Sequence, residues 1–147
     1  MKIFLDTADT DLIRKYHGTG LIDGVTTNPT LIMRSGRDPE DVYQEIQDIG
    51  LRDISMEVMG DSNTMIEEGI RLATKFPNSA TIKVPCTPDG LLACAELSCK
   101  NLIRVNVTLI FDVAQAILAA KAGAAYAVSN THLRAHETLV HVVCRLL

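Results

Sequence analysis

The chain has 147 residues and a mass of 16.0 kDa, which is enough material for one domain. Apolar residues make up 47% of it, so a packed core can form, although aromatic residues supply only 4%. The net charge of −4 argues against a general nucleic-acid or membrane-surface binder. No apolar run reaches the roughly 20 residues of a membrane span, and the N-terminus does not resemble a signal peptide. We therefore expect a cytoplasmic protein whose four cysteines are reduced.

Short β-rich runs alternate with amphipathic helical stretches along the first 125 or so residues. Strands are predicted at residues 2–6, 24–28, 54–58, 81–85 and 104–110, and a sixth begins near Ala125. The first predicted helix is capped by Asp9 and ends at Gly18. Later helices are predicted to begin at Asp38-Pro39, at a Thr64…Glu67 capping box and at Thr87-Pro88, and a last helix spans residues 111–123. Repeated strand–helix units of this size imply a parallel sheet, either doubly wound or closed into a (β/α)₈ barrel.

The alternation of polar and apolar residues within the strands favours the barrel. A doubly wound sheet is apolar on both faces, whereas a barrel turns polar groups inward near its catalytic end. The apolar phase includes Ile3 and Leu5, Met56 and Val58, Ile82 and Val84, and Val105, Val107 and Leu109. The polar phase holds Asp6; Thr26 and Asn28; Ser55 and Glu57; Thr81 and Lys83; Asn106 and Thr108.

Lys83 is the first candidate for chemistry, because it lies in mid-strand between Ile82 and Val84. A lysine on a half-exposed edge strand is the simpler interpretation of that position taken alone. The functional interpretation is that burial lowers the pKa of the amine, which can then form a Schiff base with a carbonyl. Asp6 and Glu57 end two other strands and could move the protons that carbon–carbon cleavage requires, although each could equally be a helix cap or a solvated strand end.

Five segments resemble the transaldolase and fructose-6-phosphate aldolase family, in family order and with family spacing. They are MKIFLDTAD, DGVTTNPTL, ISMEV, IKVPCTPDGL and VNVTLIFDVAQAILAAKAGA. The resemblance covers residues 1 to about 126, and GVTTNPT and IKVPxTxxGL are its most specific signatures. It implies a (β/α)₈ barrel of the class I aldolase type, of which about five and a half strand–helix units are present.

The same resemblance implies roles for individual residues. Lys83 would form the Schiff base with a donor ketose, and Asp6 would be the acid/base at its C4 hydroxyl. Glu57 and Thr108 would hold a water molecule that relays protons. The substrate-binding residues would be Asn28 and Asn106, which hold the dihydroxyacetone hydroxyls, and Thr26, which lines the site. No metal or organic cofactor is implied, because the lysine supplies the electron sink. The partners implied are sugar phosphates and, for the intact protein, further copies in a homo-oligomer.

Glu57 also separates the two activities of the family. Transaldolases have Glu in the ISMEV segment, whereas fructose-6-phosphate aldolases tend to have Gln. We therefore expect a transaldolase of the pentose phosphate pathway, a transferase. The alternatives are a fructose-6-phosphate aldolase, which is an aldehyde-lyase, or an inactive fragment. Asp112 departs from the small residue usual at its position and is predicted to be a helix cap.

Residues 127–147 do not resemble the family, which continues at this point with a Ser-Pro-Phe-Gly-Arg-like segment whose Arg would bind the substrate phosphate. VSNTHLRAHET resembles the translation of a transposon-type sequencing adapter, so we interpret the tail as a sequencing artefact. His132 and His136 are four residues apart, as metal ligands on a helix can be, but they lie in this tail, so we do not interpret them as a metal site. An incomplete barrel would have two unpaired strand edges and an open apolar face, so we expect the chain to fold poorly or aggregate.

Overall fold

A computed structural model describes residues 2–34, 36–128, 140–141 and 144–145. Six parallel strands follow one another across a single sheet in chain order. They are β1 (Phe4–Asp6), β2 (Gly24–Thr26), β3 (Ile54–Glu57), β4 (Ala80–Pro85), β5 (Val105–Thr108) and β6 (Tyr126–Ala127). The helices are α1 (Thr10–His17), α2 (Pro29–Arg34), α3 (Pro39–Ile49), α4 (Ser62–Lys75), α5 (Pro88–Ala95) and α6 (Val113–Lys121).

Most helix ends follow the predicted caps. The side chains of Asp9, Asp38, Thr87 and Asp112 each accept a hydrogen bond from a backbone N–H in the first turn of α1, α3, α5 and α6, respectively. The capping box at Thr64 is wrong, because α4 begins two residues earlier and Asp61 caps it by accepting from the Thr64 N–H. Two helical elements were not predicted: the short helix α2 and a π-helical turn, Glu96–Lys100, that continues α5.

The sheet curls until its first and sixth strands touch. The rings of Phe4 and Tyr126 meet edge to face with centroids 5.4 Å apart, and Lys2 Nζ donates to the Tyr126 hydroxyl at 2.8 Å. A flat six-stranded sheet would hold β1 and β6 more than about 20 Å apart, since neighbouring strands are spaced by roughly 4.8 Å. The fold is therefore an incomplete (β/α)₈ barrel, and the predicted fold class is confirmed.

The expectation of unpaired edges is wrong for β1 and β6. A two-residue strand β7 (Val140–His141) pairs antiparallel with β1, and another, β8 (Cys144–Arg145), pairs antiparallel with β6. The described sheet still ends in two edge strands, β7 and β8. An edge strand presents unpaired backbone groups that any extended segment can match, and the tail supplies two such segments. His132 and His136 lie outside the described residues.

The predicted apolar phase of the strands faces the helices. Ile82, Val84, Val105 and Val107 are fully buried there and join side chains from the helices in one continuous core. The outer side of α6 is not covered in the same way, because Val113, Ile117 and Leu118 are all more than half exposed. Helix α6 therefore exposes an apolar surface to solvent. The expectation that the chain aggregates rests on such a surface. No helix in the described ranges is long and apolar enough to span a membrane.

A polar network closes the N-terminal end of the barrel around Asp53, which is 2% exposed. Its Oδ2 accepts from the Tyr126 hydroxyl at 2.7 Å and from Lys2 Nζ at 3.2 Å, and Arg104 also donates to it at 3.3 Å. Its Oδ1 accepts from Thr81 Oγ1 at 2.7 Å. A buried carboxylate is tolerated only when it is paired and hydrogen-bonded in this way. The network therefore links residues in β4 and β6 to residues that lie just before β1, β3 and β5.

We expect Asp53→Asn to lower the free energy of unfolding by about 1–3 kcal/mol, because two cations lose their counter-charge and an amide donor faces other donors. Urea unfolding followed by circular dichroism measures the change. Glu67→Gln, at an exposed position of α4, is the matched control and should stay within about 0.5 kcal/mol of wild type. Equal midpoints for the two variants would mean that the network does not stabilise the barrel.

Candidate active site

The strand register places the predicted polar residues in adjacent rows. Asp6 lies beside Thr26, and Thr26 lies beside Ser55. Two residues further along the strands, Glu57 lies beside Lys83, which in turn lies beside Asn106. Side chains two residues apart on a strand share a face, so both rows project to the same side of the sheet. Because the sheet curls around that side, these side chains point into the barrel.

Lys83 is buried at the centre of the second row. It is 7% exposed, and its Nζ donates to Glu57 Oε2 at 3.2 Å. A buried ammonium is costly without a partner, and the register of β3 with β4 supplies one. The structure thus brings together the predicted nucleophile and one of the two predicted acids.

Asp6 and Thr26 form a second contact pair. Thr26 is buried, and its Oγ1 donates to Asp6 Oδ1 at 2.7 Å. Asp6 itself is exposed at the C-terminal end of β1, the end at which barrel enzymes carry their active sites. Thr26 therefore contacts the acid and fixes the position of one of its oxygens. A role for Asp6 in proton transfer suits a carboxylate that is both accessible and held in this way.

Asn28 lies just beyond β2 and is half-buried. Its Oδ1 accepts from the Thr30 N–H at 2.9 Å, in the first turn of α2. One polar atom of this predicted substrate-binding residue is therefore used to shape the β2–α2 connection. The sequence prediction missed this contact because it did not include α2.

Asn106 and Thr108 are buried on β5 and face the same way. Asn106 Nδ2 donates to Ser55 Oγ at 3.0 Å, across the width of β4. Within the described part of the chain, Asn106 Oδ1 and Thr108 Oγ1 have no hydrogen-bond partner, although both residues are at most 1% exposed. An unsatisfied buried polar atom costs about 1–3 kcal/mol, so such atoms call for an explanation. A bound ligand or water molecule that supplied hydrogen bonds would remove that cost.

The backbone next to Thr108 is strained. Leu109 has φ 63, in the left-handed region that residues with a side chain seldom adopt. The conformation ends β5 directly after Thr108, whose carbonyl accepts from the Cys86 N–H at 2.8 Å. Residues held in such a conformation cost about 1–3 kcal/mol and cluster at functional sites. Sequence reasoning had no means of finding this one, because it extended the strand to residue 110.

A crevice of 170 Å³ reaches Glu57 from the side of the helices. Tyr43 lines it, and burial is the main reason that the pKa of this phenol rises to about 12. Arg71 also lines the crevice and forms ion pairs with Glu40 and Glu68. The pKa of Glu40 is lowered first by Lys75 and then by Arg71. The arginine is thus already neutralised by two carboxylates and offers little charge to an anionic ligand.

Comparison with known proteins identifies the family. A profile described as Transaldolase/Fructose-6-phosphate aldolase matches residues 3–129. The chain belongs to this family. Proteins named probable transaldolase are 54% identical in Geobacter sulfurreducens, 53% in Paracoccus denitrificans and 49% in Nitrosopumilus maritimus, each over 127 residues and 86% of the chain. The chain spans 58%, 58% and 56% of these relatives, respectively, or a little over half of their length.

The transaldolase-family barrel brings most of the predicted site residues onto one inner face. Direct contacts join Lys83 to Glu57 and Asp6 to Thr26. Two residues of the polar phase had no predicted role: Ser55, which contacts Asn106, and Thr81, which contacts Asp53. Their places in the polar phase of β3 and β4 were the signal that could have found them. No group of three or more His, Cys, Asp or Glu side chains within the described part of the chain could hold a metal ion.

Cys86, directly after β4 and half-buried, allows a test of the site's electrostatics. Burial and, to a lesser degree, Asp112 raise the pKa of its thiol, while burial raises the pKa of Cys94 to about 12. At neutral pH, less of each thiol is then in the reactive thiolate form. We expect iodoacetamide to modify the exposed Cys99 first, Cys86 more slowly and Cys94 last, as followed by peptide mass spectrometry. Faster modification of Cys86 than of Cys99 would show an activated thiol instead.

Proposed function

We propose that the protein acts as a transaldolase, transferring a dihydroxyacetone unit between sugar phosphates through a Schiff base on Lys83. The observation that carries the proposal is the buried Lys83 Nζ, 3.2 Å from Glu57 Oε2 inside a curled parallel sheet. The family and the names of the relatives support it. The pentose phosphate pathway and the cytoplasm, taken from the family resemblance, belong to the same proposal.

The first half of the reaction forms and uses the iminium. The Lys83 amine adds to the C2 carbonyl of the donor ketose, and loss of water gives the iminium ion. Asp6 takes the proton of the C4 hydroxyl while the C3–C4 bond breaks. The bonding electrons move into the iminium and give an enamine, and the aldose leaves as its aldehyde. An exposed Asp6 held by Thr26 suits this step because the carboxylate must reach a substrate entering from solvent.

The second half reverses these events on an acceptor aldose. The enamine carbon attacks the acceptor aldehyde, Asp6 returns the proton to the new alkoxide, and water then releases the product ketose from Lys83. Glu57 and Thr108 position this water and transfer its protons, while Asn28 and Asn106 bind the hydroxyls of the three-carbon unit. The unpartnered Thr108 Oγ1 supports a place for that water.

Borohydride trapping tests the nucleophile. In the proposed mechanism, incubation with dihydroxyacetone followed by reduction leaves a stable secondary amine on Lys83, located by peptide mass spectrometry. Dihydroxyacetone is suitable because it needs no phosphate contact. Lys83→Ala should abolish the adduct, whereas Lys121→Ala, on the outer side of α6, should leave the yield unchanged. An adduct of normal yield in Lys83→Ala would overturn the assignment.

The need for an acceptor separates transaldolase from aldolase activity. With fructose 6-phosphate as donor, we expect sustained release of glyceraldehyde 3-phosphate only when erythrose 4-phosphate is added, because the enamine persists until an aldehyde accepts it. A coupled assay for glyceraldehyde 3-phosphate measures the release. Sustained release without erythrose 4-phosphate would identify a fructose-6-phosphate aldolase instead.

A further inference from the structure

Two buried side-chain atoms on the inner face of β5 have no hydrogen-bond partner among the residues that the structure describes. They are Asn106 Oδ1 and Thr108 Oγ1, and the third such atom among the described residues, His17 Nδ1, lies on α1. The two β5 residues flank Val107, so their side chains lie on the same face of the strand. Both atoms can accept a hydrogen bond. A hydroxylated ligand could supply the missing donors.

The orientation of the Asn106 amide is set by one contact. Its Nδ2 donates to Ser55 Oγ at 3.0 Å, and both residues are fully buried. An amide has a donor end and an acceptor end, and in this structure the donor end is the one that contacts Ser55. With Nδ2 engaged, the acceptor Oδ1 is the end that is left for a ligand hydroxyl.

The position of Ser55 is itself fixed by the sheet. Its backbone pairs with Thr26 on β2 and with Thr81 on β4, and its carbonyl accepts from Thr27 Oγ1 at 2.9 Å. Ser55 Oγ is therefore held by a strand that is anchored on both sides. An anchored hydroxyl can hold the orientation of Asn106 in the absence of any ligand.

We propose that Ser55 is a positioning residue that turns the Asn106 amide so that its Oδ1 accepts a hydrogen bond from a hydroxyl of the bound three-carbon ketone. The inference rests on the proposed function, since it takes the ligand to be a hydroxyketone bound to Lys83. Ser55 does not touch the ligand; it acts through Asn106. Without it, the amide can rotate about its last torsion and present the donor end in part of the molecules.

Borohydride trapping with two ketones tests the proposal on the 147-residue chain. Dihydroxyacetone carries hydroxyls that can use Asn106, and acetone carries none. We expect Ser55→Ala to raise the half-saturating concentration of dihydroxyacetone about fivefold to tenfold, the equivalent of one neutral hydrogen bond. The value for acetone should stay the same. Partial unfolding of a variant would raise the half-saturating concentrations of both ketones by the same factor, so the ratio between them still isolates the effect on Asn106.

Three further variants make the test specific. Ser79→Ala removes another buried serine hydroxyl, which donates to Gln47 at the opposite end of the sheet, and should change neither value. Ser55→Thr keeps the hydroxyl and should restore the preference for dihydroxyacetone. In an Asn106→Ala background, Ser55→Ala should have no further effect, because the group on which it acts is gone.

The possible failures are distinguishable. If the wild-type chain forms no adduct with either ketone, the proposed function fails, and the inference about Ser55 falls with it. If the wild type forms both adducts and Ser55→Ala changes neither half-saturating concentration, only the inference about Ser55 is overturned. An equal rise for acetone and dihydroxyacetone would also overturn it, because the serine would then support the Lys83 region in general.

Discussion

The contact between Lys83 and Glu57 is the constraint on which the site depends. An ammonium can be buried in the interior of a barrel only beside an opposite charge, and that charge must come from a neighbouring strand. Parallel pairing of β3 with β4 in one particular register supplies it. A shift of one residue would turn Glu57 toward the helices and leave Lys83 without its partner. The ion pair in the site therefore requires this one register of β3 with β4.

The interior of the barrel is divided along its axis. At the N-terminal end, Phe4 and Tyr126 pack against each other, and Asp53 is surrounded by donors from several strands. At the C-terminal end, Asp6 is exposed, and two side-chain oxygens on β5 have no hydrogen-bond partner in the described ranges. The same kind of residue, a polar side chain pointing inward, is therefore fully hydrogen-bonded at one end and only partly so at the other. This division agrees with the general position of active sites in such barrels.

Much of this arrangement could be predicted from the sequence, because strand alternation is a strong signal. It placed Lys83 and Glu57 on a common face, and the curled sheet follows from the same pattern. The sequence could not predict contacts that depend on the curvature of the sheet. The contact of Lys2 with Tyr126, 124 residues apart in the sequence, is one of them. Nor could it predict the pairing of β7 and β8, because two-residue strands have no periodicity. The α4 cap was misplaced because Asp61 and Thr64 are both good caps, and only the backbone path chooses between them.

Asp53 and Asn106 show how satisfied and unsatisfied polar groups differ in meaning. Both are buried and lie on the inner side of the sheet. Among the described residues, Asp53 accepts from four side chains, while one end of the Asn106 amide has no partner. If Asn106 had only a structural role, a second partner or an apolar residue of similar size would be more stable. The strained backbone of Leu109, directly after Thr108, adds a further cost on the same strand end. Several unfavourable features thus lie together on β5, beside the buried lysine. Their concentration there, and not the presence of polar residues as such, is what supports the proposed binding site at this end of the barrel.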